Sequence, residues 1–269
     1  DAGFPVHVNA DVKIGHSKTV VFGEADYRLH RRPSSSAVTV VIPVKDNVEM
    51  TRDLCGQLLA FGGYTDVLIF DNGSETDEMR EWLAAQRVAT VFDAKGAGIH
   101  EMWNAGIAEA ISRHRGLADV VLLNNDLRID PGFLQHLVLG LRSQPGLMAC
   151  SGNYDGRPGS GVIPVRGICA GRYGPDPDGV YRGGLAGFAF ALRSEWIASG
   201  YRFPDSLTWY FGDNDLCLAV EKAGGWYGVA VDAGCEHIGG GGQTSGTLVG
   251  PTYEVDQAAF LEIWPQISS

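Results

Sequence analysis

Several things that would settle a protein's class at once are missing from this sequence. It has no run of about eighteen apolar residues and no basic-then-apolar leader, so neither a membrane span nor a signal peptide is supported. The cytoplasm is the expected compartment. Cysteine is scarce: Cys55, Cys150, Cys169, Cys217 and Cys235 are odd in number and nowhere spaced C-x-x-C, which argues against a disulfide framework or a zinc site. Reduced, mostly buried thiols are expected instead. Basic residues are in the minority, 21 Lys and Arg against 32 Asp and Glu, for a net charge of −11. Affinity for a nucleic-acid backbone comes from clustered Lys and Arg, so no such binding is expected, and the run Arg28 to Arg32 reads as a solvated linker.

What is present fits an ordinary globular chain. With 269 residues, 45% of them hydrophobic, it can bury one large domain or a domain with an appendage. Val38 to Val44 is an unbroken, mostly β-branched apolar run, as in a central strand covered on both faces. After it, Met50, Leu54, Leu58 and Phe61 recur at helical intervals and stop at Gly62-Gly63. The alternation continues with strands predicted over 66–71, 88–92 and 119–124 and helices over 75–86 and 100–114. Repeated β-α units with short connections predict an α/β fold with a mostly parallel, doubly wound sheet. Such sheets bind ligands beyond the carboxyl ends of their strands, here residues 43–47, 71–74, 93–98 and 124–126.

Residues 151–187 are rich in Gly, Pro and Arg without periodicity and read as an irregular loop, the kind that is functional or mobile when long. A strand over 187–192, a short helix over 194–200, a helix over 213–225 and a strand over 227–233 follow. A flexible Gly-rich tail (239–250) and a closing helix (253–264) complete the pattern.

Two nucleotide fingerprints are absent. The first strand runs into Pro43-Val44-Lys45-Asp46-Asn47 rather than G-x-G-x-x-G, and no P-loop occurs. Carboxylates stand at strand ends instead, Asp71 in FDNGS and Asp126 in NND. Oxygen ligands there suit a ribose or base hydroxyl and a Mg²⁺ or Mn²⁺ ion held against a diphosphate. A plain turn role, before Asn72-Gly73 or before Pro131, is the alternative for each.

Taken in order, VTVVIPVKDN, VLIFDNGSETDE, AKGAGIHEMWNAGI, VVLLNNDLRIDPGFL, GLAGFAFALRSEW and WYFGDNDLCLAVEKAGG resemble family 2 glycosyltransferases of GT-A fold, especially the rhamnosyltransferase-like branch. The resemblance runs from about Val38 to His237. It implies a GT-A fold with a C-terminal acceptor-side region and an inverting, metal-dependent transfer of a hexosyl or deoxyhexosyl group. The implied donor is a nucleoside-diphosphate sugar, with UDP favoured over dTDP or GDP, and the acceptor is a hydroxyl of a glycan, protein or other molecule.

The same resemblance assigns residues. Pro43, Val44, Asp46 and Asp71 are implied contacts of the donor base. The D-x-D motif falls on Asn124, Asn125 and Asp126, with Asn124 replacing the first Asp, so that Asp126 is the implied ligand of Mn²⁺ or Mg²⁺. Gly98 and Asn104 match donor contacts, with Gly96 where Asn is usual. In FGDNDL, Asp213 is the implied general base and Asp215 its helix-capping, orienting partner, while Gly212 stands where Glu is usual. His237 matches a second metal ligand. Apart from the resemblance, Trp209, Tyr210 and Phe211 beside the base read as a platform for an acceptor sugar or peptide or, equally, as aromatic core. Two other readings stay open. A sugar nucleotidyltransferase is disfavoured because no G-x-G-x-R loop follows the first strand. A catalytically inactive nucleotide-sugar or carbohydrate-binding module is encouraged by Asn124 and Gly212.

The opening stretch Ala2 to His16 aligns without a gap with Ala223 to His237, sharing Ala-Gly at the start, Val8 with Val229, Asp11 with Asp232 and the closing His. Residues 1–37 are therefore expected to be an appendage and linker, read as the tail of an upstream glycosyltransferase domain. The domain proper is expected over 38–269.

Overall fold

The computed structural model describes residues 37–167, 187–238 and 251–267, together with 174–175, 181–182 and 185. The opening segment and its reading as a domain tail lie outside the described residues, as do Cys169 and the Gly-rich stretch 239–250.

β1 (Val38–Val44) is buried along its whole length, as its uninterrupted apolar run requires. α1 (Val48–Phe61), β2 (Asp66–Asp71), α2 (Asp77–Ala84), β3 (Thr90–Asp93), α3 (Ile99–His114) and β4 (Asp119–Leu123) follow in the predicted alternation. Then come β5 (Leu127–Ile129), α4 (Phe133–Arg142), β6 (Leu147–Asn153), β7 (Val162–Val165) and a small hairpin of β8 (Gly174–Pro175) and β9 (Tyr181–Arg182). The chain continues through β10 (Ala189–Leu192), α5 (Ser194–Ala198), α6 (Gly212–Lys222) and β11 (Trp226–His237) to α7 (Pro251–Ile263) and a 3₁₀ turn, Pro265–Ile267.

The sheet runs β3-β2-β1-β4-β10-β6-β11-β5, with β7 added beside β11. β1, β2, β3, β4, β6 and β11 all point the same way, and β10 is inserted antiparallel between β4 and β6. The sheet is thus mostly parallel, and its helices form two layers. α1, α2 and α4 cover one face, where Leu54, Leu58, Met79 and Leu137 pack on Val40, Ile42 and Ile69. On the other, Met102, Trp103 and Ile107 of α3 and Leu216 and Val220 of α6 pack on Val41, Leu68 and Phe190. α7 lies outside α6, joined to it through Phe260, Trp264 and Leu218. Cys55, Cys150, Cys217 and Cys235 are buried free thiols, and no described helix is long and apolar enough to cross a membrane.

The region expected to be irregular from 151 holds the end of β6 and all of β7. β7 has only four residues, including Pro164, which donates no ladder bond; so short an edge strand leaves no period to read. β11 also runs past its expected end. Its pairing with β6 shifts between Ala230 and Gly234, and beyond that irregularity it pairs with β5, setting His237 opposite Leu127. A bulge of this kind re-aims the strand end and so carries His237 to the D-x-D loop.

α3 approaches β1 closely at Gly106, where a Cβ would stand 2.5 Å from Val41 Cγ1. Gly106→Ala gains about 1 kcal/mol of helix propensity but overpacks a stiff β-branched neighbour at a cost of about 1–3 kcal/mol. A net loss of stability is expected, read as a lower denaturant midpoint at unchanged slope; a midpoint at or above wild type would show that α3 lifts freely from β1.

Candidate active site

The ends of β1 and β2 are tied together by carboxylates. Asp46 and Asn47 take left-handed backbone conformations, φ 51° and 57°, that Asp and Asn tolerate better than other side chains. Asp46 Oδ1 accepts from the Glu75 and Thr76 amides at 2.8 and 3.0 Å and from the Thr76 hydroxyl at 3.1 Å. Its burial works to raise the carboxyl pKa, but these bonds and Lys45 outweigh it and hold Asp46 below the usual range. Ser74 bridges the two loops. Its hydroxyl donates to Asp71 Oδ1 at 2.6 Å and accepts from the Asp46 amide at 2.8 Å. Asp71 is thereby fixed at the end of β2, beside Pro43 and Val44, which pair in register with Phe70 and Asp71.

The D-x-D loop lies at the end of β4. The Asn124 amide donates to Phe188 O at 2.8 Å, while its side-chain oxygen is buried without a hydrogen-bond partner among the described residues. Asn125 turns the other way and donates to Thr51 Oγ1 of α1 at 2.9 Å. Asp126 Oδ1 lies 3.1 Å from His237 Nε2, so the two expected metal ligands meet although they are 111 positions apart. The His237 ring stacks on Phe188, centroids 4.4 Å apart, which fixes its plane. Both side chains keep some solvent exposure. One carboxylate oxygen and one imidazole nitrogen suit Mn²⁺ or Mg²⁺ only if further ligands come from elsewhere. Among the described residues no group of three or more His, Cys, Asp or Glu is placed to hold an ion.

Asp213 sits in the first turn of α6, half-buried. Its Oδ1 accepts from the Asn214 amide at 2.9 Å, and its other oxygen faces Gly187, where a Cβ would come within 3.2 Å. Burial pushes its carboxyl up to about 6, against the lowering effect of backbone amides that include those of Asn214 and Gly187. Behind it, His100 occupies the space that a side chain at Gly212 would need: a Cβ there would lie 2.0 Å from His100 Nε2. His100 Nδ1 donates to Leu207 O at 2.9 Å, and burial lowers its pKa to about 4 despite that bond and the nearby Asp256, so the imidazole is neutral at pH 7.

Not every expected site residue belongs to this cluster at the strand ends. Asp215 was expected to cap α6. Instead the helix begins at Gly212, its N-cap residue Phe211 making no side-chain cap, and Asp215 is buried one turn in, accepting from Trp264 Nε1 at 2.9 Å and Tyr201 Oη at 3.3 Å. As the fourth helical residue it lies past the amides a cap would serve. Asn104 is engaged at both ends of its amide by the Phe203 backbone, at 2.8 and 2.9 Å. Gly98 opens α3 against Thr208, whose carbonyl oxygen a Cβ would approach to 2.6 Å. The amides of Thr208, Trp209 and Tyr210 converge on the carboxylate of Asp256, completely buried on α7, at 3.1, 2.7 and 2.8 Å. The Trp209 and Tyr210 side chains stay partly exposed, and Tyr210 packs edge-on against Tyr253.

Sequence reasoning passed over Ser74, His100, Gly187, Phe188 and Asp256. Each acts by touching another site residue, and such pairings across the chain leave no local pattern; only Ser74, three residues after Asp71, carried a visible turn signal.

Gly212→Ala is expected to cost about 1–3 kcal/mol of stability, because the methyl group enters the His100 ring. Combined with His100→Ala, it should cost much less than the sum of the two single changes. A double-mutant cycle by denaturant unfolding measures this, and strict additivity would show that the residues do not share the space.

A scan against protein-family models finds no match, and a search of curated proteins finds none. Solved structures do match. A mycobacterial protein has a TM-score of 0.51 at 19% identity over 75% of this chain and 67% of that one. TarS from S. aureus, residues 1–349, has a TM-score of 0.49 at 15% identity over 73% of this chain, which spans only 58% of that structure. The likeness to the mycobacterial protein is one of fold: this chain has the GT-A arrangement of a mostly parallel sheet between two layers of helices.

Proposed function

We propose that the protein is an inverting, metal-dependent glycosyltransferase. It would move a hexosyl or deoxyhexosyl group from a nucleoside-diphosphate sugar, UDP preferred over dTDP or GDP, to a hydroxyl of a glycan, protein or other acceptor. One observation carries this reading: the start of β10 joins the candidate base to the candidate metal pair. Asp213 lies against Gly187, and the next residue, Phe188, stacks on His237, which touches Asp126. The carboxylate of raised pKa and the ion-binding pair thus share one edge of the sheet with the Asp46–Ser74–Asp71 cluster at the ends of β1 and β2.

The chemistry is a direct displacement. Asp213 takes the proton of the acceptor hydroxyl as its oxygen attacks the anomeric carbon from the face opposite the leaving group. The bond from that carbon to the diphosphate oxygen breaks, and the nucleoside diphosphate departs with the electron pair. Asp71, held by Ser74, and the strained Asp46 turn orient the nucleoside end of the donor. Asp126 and His237 would hold Mn²⁺ or Mg²⁺, which when bound offsets the charge growing on the diphosphate. A base is most effective with a pKa near working pH, and Asp213 at about 6 meets that condition.

Asp213→Asn is expected to abolish transfer while UDP affinity stays near wild type, because it removes a proton acceptor and little volume. In the wild type, log kcat should rise as pH climbs to about 6 and level off above it, since only the deprotonated carboxylate accepts a proton. Retained turnover in Asp213→Asn, or a flat profile through that range, sinks the base assignment. Asp126→Ala should weaken Mn²⁺ and UDP binding together in calorimetric titrations; wild-type affinities for both would reduce the Asn-Asn-Asp loop to a turn. If the wild type binds UDP yet releases none from any UDP-sugar, the inactive-module reading raised by Asn124 and Gly212 holds instead.

A further inference from the structure

Phe211 links the acceptor-side loop to α6, and its backbone has φ 66° and ψ 5°. A bulky side chain in the left-handed region is strained, so something must hold the turn in place. Three contacts do, and all come from α7 and the residues that follow it. The Asp256 carboxylate takes the amides of Thr208, Trp209 and Tyr210, immediately before the turn. The Phe211 ring lies between Phe260, stacked at 5.1 Å, and Tyr253, tilted at 5.1 Å. Trp264 Nε1 donates to Asp215, immediately after the turn. Asp256 is the only charged member of this set, and completely burying a carboxylate is costly unless its bonds are satisfied. Three consecutive amides aimed at one carboxylate form a preorganised support.

We infer that Asp256 is a positioning residue for the transfer reaction: through the 208–210 amides and the Phe211 turn, it sets Asp213 against Gly187. The inference rests on Asp213 being the general base. It requires α7 to govern how deeply Asp213 is buried without touching donor or acceptor. Asp213 meets the amides of Gly187 and Asn214 and faces the buried Cys217 thiol, with neutral His100 beside Gly212 and Asp256 further back. When the support slackens, more water reaches the half-buried carboxylate and its pKa falls toward the ordinary aspartate value of about 4.

The test follows the Asp213 carboxyl by ¹³C NMR titration, its signal assigned by loss in Asp213→Asn. Wild type should titrate near pH 6, and Asp256→Asn below about pH 5. Phe260→Leu loosens Phe211 from the other side without changing any charge, so a similar fall in that variant reports position rather than the loss of a neighbouring negative charge. Leu137→Ala, which opens a cavity in the opposite layer, should lower the melting temperature and leave the midpoint alone. Turnover should drop about ten- to a hundred-fold in Asp256→Asn, as for a displaced catalytic group, with UDP affinity in Mn²⁺ within about two-fold of wild type. An unchanged midpoint in Phe260→Leu, or an equal fall in Leu137→Ala, overturns the inference, and Phe260→Leu decides it if Asp256→Asn does not fold. The titration needs no turnover. Activity retained in Asp213→Asn therefore removes the base assignment and with it the part of Asp256 in transfer, while an unchanged midpoint removes only the role of Asp256.

Discussion

A strand buried on both faces can offer polar groups to a ligand only at its ends, and β1 imposes this constraint on the sheet. Every residue from Val38 to Val44 is buried, with parallel neighbours on both sides, so its first solvent-facing groups are Lys45 and Asp46. Because β2, β3 and β4 run the same way, Asp71, Asp93 and the Asn-Asn-Asp loop emerge along the same edge. The acidic residues converge because of strand direction, and helices on both faces leave no other outlet.

The one central strand that runs against the others does something the parallel strands cannot. β10 begins at the edge where they end, so Gly187 and Phe188 enter the sheet beside the D-x-D loop, and the Asn124 amide bonds directly to Phe188. A glycine at 187 leaves room for the Asp213 carboxylate, and an aromatic ring at 188 backs His237. Two adjacent residues thus join the Asp213 carboxylate on a helix to the Asp126–His237 pair on a loop and a strand end. The irregularity in β11 completes the arrangement by turning the last strand from β6 onto β5.

How much of this was legible in the sequence follows from the range of each interaction. The strand-helix alternation from Val38 to Leu123 was readable because it rests on local periodicity: β2 was placed on its observed residues and α3 within one residue at its start. The pairing of Asp126 with His237 was expected through family resemblance, and the two side chains are in contact. β5 and β7 were not legible, being three and four residues long and defined by pairing with β11 rather than by their own pattern. The role expected of Asp215 failed for a related reason. An Asp near a helix start reads as a cap, and only tertiary packing shows that it lies one turn too deep and faces Trp264. Asp256 was silent because its partners are 46 to 48 positions away.

Gly212 ties these threads together. A glutamate at position 212 would set a like charge beside Asp213 and raise its carboxyl pKa. Here there is no side chain at that position, and the neutral His100 ring fills the space. The raised pKa of Asp213 therefore rests on burial, which no neighbouring charge assists from Gly212. A carboxylate tuned in this way needs a rigid surround. The buried carboxylate, the aromatic stack and the indole bond that α7 and Trp264 supply around Phe211 are the elements that provide it.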